Sequence, residues 1–245
     1  MDCRRSASLV IISAEAVCTQ GFLEYAYALV LQQKLDRIVL DECHLTITAN
    51  DYRPCMSQLS WYVWQIKTQT VWLTATLPLV IQEEFIEHNK LVKPRIIRES
   101  TNRPNIKYMV SLETGLSTLI EKAANLVQVY WPKKEIFNYS RDKIIIYCRT
   151  QAEVAMLADI LGCASYTSES GSKEEKAAIL SKWLASKDQP AIAATSALGI
   201  GFDYPHVRWV IHVDAPERMT AFSQESGWAG RDGGKASSII LLRAM

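Results

Sequence analysis

The sequence predicts an α/β fold organised as two successive parallel-sheet domains, residues 1–104 and 105–245. Three observations lead there. Short apolar, β-branched runs alternate with longer segments of helical period, the pattern of a doubly wound parallel sheet. The alternation halts at residues 99–105, E-S-T-N-R-P-N, a polar, proline-containing stretch without periodicity, and then begins again. Two carboxylates, Asp41 and Glu42, directly follow the apolar run Ile38, Val39 and Leu40. Acids at the carboxyl end of a buried parallel strand lie where open α/β sheets bind ligands.

In the first half, residues 9–12 are expected as a short buried strand, and 22–35 as a helix with Phe22, Tyr25, Ala26, Leu29 and Val30 on one face. The strand before Asp41 follows, then a polar loop at 45–51. A helix over 52–64 has Leu59 and Val63 on its buried stripe, which continues to Ile66. Next come a strand at 70–73, a helix at 79–88 and a last strand at 95–97. In the second half, helices are expected over 116–130 and 151–161, and strands at 143–147, 191–194, 209–213 and 238–242. Ser172 and Glu175 have capping-box spacing at the start of another helix. Trp61, Trp64, Trp72 and Trp183 are expected in packing roles, His44 and His212 as satisfied polar residues at strand ends, and Gly227 and Gly230 as helix terminators.

With 49% hydrophobic and 22% charged residues, the composition is that of an ordinary globular protein. A net charge of +1 supplies no global basic field, so any nucleic-acid binding must use a local groove. The six cysteines form no C-x-x-C pair, which argues against a disulfide framework or a zinc site and for a reducing compartment. Cys43 and Cys148 lie in or beside apolar strands and are expected as small core residues. No stretch is long and apolar enough to span a membrane.

Adjacent acids at a strand end are costly unless they hold a cation or move protons. In nucleotide hydrolases the first acid of such a pair holds Mg²⁺, and the second can orient and deprotonate water. D-E-C-H at 41–44 is followed by L-T-A-T-L-P at 73–78, A-T-S-A-L-G-I-G-F-D at 194–203 and Q-E-S-G-W-A-G-R-D-G at 224–233. Together these resemble superfamily 2 helicases, and most closely the RecQ-like DNA helicases. D-Y-R-P at 51–54, S-T-N-R-P-N-I at 100–106 and I-I-I-Y-C-R-T at 144–150 support the resemblance, which covers nearly the whole chain.

The resemblance implies two RecA-like domains, the first incomplete, in an ATP-dependent 3′–5′ DNA helicase that uses ATP and Mg²⁺. Asp41 would hold Mg²⁺ through water and Glu42 would activate the attacking water. His44, Thr74, Thr76, Gly201 and Asp203 would couple nucleotide state to the nucleic-acid side, with Asp203 facing the nucleotide. Gln224 and Arg231 would meet the phosphates, Arg231 as the arginine finger. Arg149, Thr195, Ser196 and Gly199 would lie along single-stranded or partly duplex DNA. A nuclear setting is implied. The sequence also departs from the family pattern. It has no G-x-x-x-x-G-K-[ST] phosphate cradle, so the chain is expected to be inactive by itself, as an amino-terminally truncated helicase or a non-catalytic binding protein. The 45–51 segment lacks the family's tryptophan, and Trp228 stands where the family has the first arginine of G-R-A-G-R.

Overall fold

The computed structural model describes residues 7–49, 54–115, 117–133, 135–199 and 203–244. The chain divides into two compact units, Met1–Thr101 and Asn102–Met245. The division falls inside the polar stretch at 99–105.

The first unit contains α1 (Ala14–Val17), α2 (Gln20–Leu31), β1 (Arg37–Leu40), α3 (Leu45–Thr48), α4 (Cys55–Gln65), β2 (Gln69–Trp72) and α5 (Gln82–His88). β1 and β2 pair in parallel, with Ile38 opposite Thr70 and Leu40 opposite Trp72. Leu40, Cys43, Met56, Leu59, Val63 and Phe85 form the core. α2 stops earlier than its apolar period suggests. Gln33 takes φ +55°, and the Gln33 and Lys34 N–H groups return to the Val30 and Leu29 carbonyls, closing the last turn.

Several expectations for this unit are corrected. Residues 9–12 form no strand, and Leu9 and Ile11 are exposed; apolar composition alone does not make a strand without a partner to pair with. Residues 95–97 likewise form no strand, and Ile97 is exposed. β1 is not buried throughout: Leu40 points into the core while Val39 is 52% exposed. The 45–51 loop is in part α3. The Thr46 hydroxyl donates to the Cys43 carbonyl at 2.9 Å and that of Thr48 to the His44 carbonyl at 3.1 Å, which ties this turn to the end of D-E-C-H. Trp61 and Trp64 are exposed rather than packed, whereas Trp72 meets Phe85 edge-on and Trp183 is buried. Asp51 and Tyr52 lie outside the described residues.

The second unit contains β3 (Ile106–Glu113), α6 (Leu119–Tyr130), β4 (Lys143–Tyr147), α7 (Gln151–Leu161), β5 (Ala164–Tyr166), α8 (Lys173–Ala185), β6 (Ala191–Ala194), β7 (Val207–Val213), α9 (Met219–Ser226) and β8 (Ala236–Arg243). Its six strands are all parallel, in the order β3-β8-β7-β4-β6-β5. β4 is central, which explains its continuous apolar run: Ile144, Ile145 and Ile146 are fully buried between two helical layers. Ser172 and Glu175 make the expected capping box, and Thr118–Glu121 and Thr150–Glu153 make two more. Thr118 starts α6 later than expected. β3 and β5 were not anticipated, being an alternating edge strand and a three-residue one. Cys43 and Cys148 are core residues as expected, and burial pushes both thiols up to about 12. None of the five described cysteines is in a disulfide.

From β4 the chain runs to β5 and β6 on one side, then returns to β7 and β8 on the other. The carboxyl ends of β4 and β7 therefore flank the point where the winding reverses, the general location of ligand crevices in such sheets.

Candidate functional site

In the first unit, parallel pairing brings the carboxyl ends of β1 and β2 side by side. The Cys43 N–H donates to the Leu73 carbonyl at 3.0 Å and the Leu73 N–H to the Leu40 carbonyl at 2.8 Å. This stitch sets D-E-C-H against L-T-A-T. His44 Nδ1 lies 2.9 Å from Thr74 Oγ1, and Thr76 Oγ1 lies 3.2 Å from each ring nitrogen. The Thr76 N–H also donates to Thr74 Oγ1 at 3.1 Å. Glu42 Oε2 approaches the same ring nitrogen, 3.3 Å from His44 Nδ1. The sequence-predicted residues Glu42, His44, Thr74 and Thr76 thus form one cluster, with Asp41 beside it.

Asp41 and Glu42 are both exposed. The Glu42 N–H donates to Asp41 Oδ1 at 3.0 Å, which fixes one carboxylate against the strand end. Glu42 takes φ +48°, a left-handed conformation that costs a side-chain-bearing residue about 1–2 kcal/mol. Such strain at an acid pair is an observation that points to function. Asp41 retains open oxygen positions of the kind Mg²⁺ uses, since this ion is usually held by one or two carboxylates, waters and substrate phosphates.

Burial lowers the His44 pKa below its ordinary value, and the nearby Glu42 charge opposes that shift. Since the folded-state pKa is depressed, the folded protein binds this proton less readily than the unfolded chain. His44 therefore contributes stability above about pH 6.5 that is lost as pH falls through its folded pKa. We expect the His44 ring to titrate below pH 6.5 by NMR, and Glu42→Gln to lower the midpoint further. A midpoint unmoved by that change would show that Glu42 is not coupled to the ring.

In the second unit, β6 ends in a turn that carries Thr195, Ser196 and Gly199. The Thr195 N–H donates to the Tyr166 carbonyl, and the Leu198 N–H returns to the Thr195 carbonyl. Ser196 is exposed. A Cβ at Gly199 would stand 3.2 Å from the Ser196 carbonyl oxygen, so the tight turn favours glycine. Gly201 lies outside the described residues. Arg149 follows β4 and pairs with Asp214 after β7 at 3.2 Å. Nearby, a cavity of about 200 Å³ at the ends of β4 and β7 is lined by Tyr147, Arg149, Ser196, His212, Asp214 and Glu225, among others. His212 is buried, stacks on Tyr147 and places Nε2 3.0 Å from Glu225 Oε2. Its Nδ1 has no partner among the described residues, so His212 is only half satisfied.

Gln224 is exposed on α9. Arg231 donates to Asp203 at 2.8 Å, and its guanidinium lies 4.1 Å from the centre of the Trp228 ring. Two residues given separate roles by the resemblance are thus an ion pair here. Exposed pairs of this kind contribute about 0–1 kcal/mol, so Asp203 can release Arg231 to a stronger anion. Gly227 ends α9 as expected, while Gly230 takes φ +55° in the loop beyond.

Two gripping residues were not anticipated from sequence. Arg103 donates to the carbonyls of Gly227, Ala229 and Gly230, and Asn105 to those of Gly230 and Gly234. The N-R-P-N stretch, read from sequence as a boundary, therefore holds the loop that presents Arg231. Arg208 was also missed. It bridges Asp142 at 3.1 Å and Asp232, the residue next to Arg231. An arginine inside the apolar run of β7 was the available signal, because a buried guanidinium requires carboxylate partners.

Residues 121–233 match the helicase conserved C-terminal domain. RecQ-like DNA helicase BLM of Xenopus laevis is 34% identical over 244 residues, covering 95% of this chain and 17% of that protein. ATP-dependent DNA helicase RecQ of Pasteurella multocida is 26% identical over 237 residues, covering 95% of this chain and 35% of that protein. The chain thus spans well under half the length of either relative. The structure of Mss116p bound to ssRNA and AMP-PNP superposes with a TM-score of 0.65 at 16% identity, over 91% of this chain and 46% of that one, a likeness of fold. No helix among the described residues is long and apolar enough to cross a membrane. With D-E-C-H, L-T-A-T-L-P and Q-E-S-G-W-A-G-R-D-G in order along its length, the chain carries the helicase conserved C-terminal domain and is similar over nearly its full length to RecQ-like DNA helicases.

Proposed function

We propose that this chain supplies part of the motor core of an ATP-dependent 3′–5′ DNA helicase, acting on single-stranded or partly duplex DNA in a nuclear setting. The observation that carries this reading is the Glu42–His44–Thr74–Thr76 cluster at the carboxyl ends of two paired strands. Asp41 would hold Mg²⁺ through water, and the ion, when bound with ATP, would offset phosphate charge. Glu42 is exposed and can orient a water for in-line attack. Glu42 and both threonine hydroxyls converge on His44 Nδ1, so a change of charge or position at Glu42 alters which of them that nitrogen can bond. In the second unit, the exposed Ser196, with Thr195 and Gly199, would follow the nucleic-acid backbone, together with Arg149 once it leaves Asp214. Gln224 and Arg231 would contact nucleotide phosphates, with Arg231 steadied by the Trp228 ring.

A second reading, a non-catalytic nucleic-acid-binding or interaction protein, is favoured by one feature: these 245 residues contain no G-x-x-x-x-G-K-[ST] cradle. On either reading the chain by itself should release no phosphate above background, with or without DNA, because nothing holds the γ-phosphate against Glu42. A clear rate abolished by Asp41→Ala or Glu42→Ala would overturn that expectation and establish autonomous catalysis.

Binding to single-stranded DNA should be measurable at low salt and weaken steeply as salt rises, since backbone contacts release counterions. Arg149→Ala should weaken it uniformly across sequences and reduce the salt slope by about 1. Absence of binding at low salt would count against the helicase reading and the binding-protein reading alike.

A further inference from the structure

The second unit leaves one long sheet edge open. β3 spans eight residues, I-K-Y-M-V-S-L-E, and among the described residues pairs only with β8. The opposite edge, β5, has three residues, too few to template a neighbour. β3 contains no proline and no bulge, its pairing with β8 being regular along all eight residues, and its charges, Lys107 and Glu113, stand near its two ends and leave the middle apolar. Its alternation places Met109, Ser111 and Glu113 on the face covered by α6, where Glu113 pairs with Lys122. On the other face Tyr108, Val110 and Leu112 are 51%, 61% and 65% exposed. The apolar surface continues onto α9, where Met219 is exposed and Phe222 lies against Tyr108. An uncovered apolar edge strand of this length is a pairing surface.

We propose that β3 pairs antiparallel with β3 of a second copy of this chain, about a two-fold axis through Val110. The register follows from the strand's own sequence. Centring on Val110 sets Tyr108 opposite Leu112 of the other copy, an aromatic–aliphatic pair, and Val110 opposite itself. It also sets Lys107 opposite Glu113, so that each end of the paired strands carries opposite charges. Such cross-strand pairs are the unit of sheet stabilisation, and like charges in their place are destabilising. A two-fold interface repeats each contact and closes at two copies, joining two six-stranded sheets into one. The proposed pairing uses neither Asp41 nor Arg231, so it stands or falls independently of the helicase reading.

The test is sedimentation velocity across micromolar concentrations, with thermal melts to confirm folding. Wild type should be dimeric. Val110→Lys, at an exposed position, should raise the dimer dissociation constant at least about tenfold while still melting cooperatively, because two lysines then face each other. Lys107→Glu, which sets two carboxylates opposite each other at both ends of the paired strands, should weaken the dimer in the same direction. With oxidised glutathione as the electron acceptor, Val110→Cys should give a reducible covalent dimer, and Tyr108→Cys, which faces Leu112, should not. Wild type treated identically accounts for the native cysteines. A monomeric wild type, a dimer indifferent to Val110→Lys, open-ended association, or equal cross-linking at positions 108 and 110 would each overturn the proposal.

Discussion

Trp228→Arg should cost the second unit roughly 3–5 kcal/mol, the range for deleting a buried large aromatic. Trp228 is 4% exposed and packs among Ile106, Val207, Ala229 and Ala236. The substitution would remove that contact and leave a guanidinium in an apolar cluster, an uncompensated burial that adds to the loss. The position matters because the family pattern that the sequence resembles has arginine there, and by that resemblance alone restoring it should help turnover. The packing argues the reverse in this chain. Trp228 has become part of the core and of the platform beneath Arg231, so the arginine would have to displace both. Denaturant melts of wild type, Trp228→Phe and Trp228→Arg should rank in that order of stability, with the phenylalanine variant intermediate. An arginine variant as stable as wild type would mean that the 227–231 loop can open and present residue 228 to solvent.

Much of this was legible in the sequence where a signal is local or fully one-sided. β4 declared itself by a continuous apolar run because it is buried on both faces. The capping box at Ser172 is a two-residue code and was found where expected. Glu42, His44, Thr74 and Thr76 were singled out through the family resemblance; that they meet is a result of β1 pairing with β2 in parallel, which brings the ends of D-E-C-H and L-T-A-T together. The failures have a common cause: burial is decided by partners distant in sequence. Residues 9–12 have a strand's composition but pair with no strand among the described residues. β3 does alternate, but so do many loops, and only its ladder with β8, more than a hundred residues later, makes it a strand. The roles of Arg103 and Asn105 were hidden for the same reason. Their acceptors are backbone carbonyls at 227–234, and carbonyls carry no sequence signature.

Arg208→Ala should be the second large loss, roughly 3 kcal/mol, because it leaves the buried Asp142 carboxylate with only the Asn138 N–H at 2.8 Å and Arg141 at 3.4 Å. Asp142 has a side chain only 4% exposed and receives Arg208 Nε at 3.1 Å. The same guanidinium holds Asp232, whose carboxyl is pulled well below the usual carboxylate range, first by Arg208, with further help from the Gly234 N–H and His206. The sign of the pH effect follows. A depressed folded-state pKa means that Asp232 contributes stability above its unfolded value, near 3.9, that is lost as pH falls below it. Arg208→Ala should therefore lower stability at neutral pH and flatten the decline below about pH 4, since the strongest cause of the depression is gone. Arg208→Met, which keeps the aliphatic stem, should recover part of the packing but none of the acid dependence. The consequence for function runs through the loop. Asp232 adjoins Arg231 in sequence, its N–H donates to the Pro205 carbonyl, and the Gly230 N–H donates to the Val207 carbonyl. Loss of Arg208 should leave these backbone ties and the Arg103 grip in place while removing the side-chain clamp. Amide hydrogen exchange in residues 230–234 should then accelerate more than in β7, even after global stability is matched with a mild denaturant. Equal acceleration in both would mean that Arg208 stabilises the sheet without positioning Arg231.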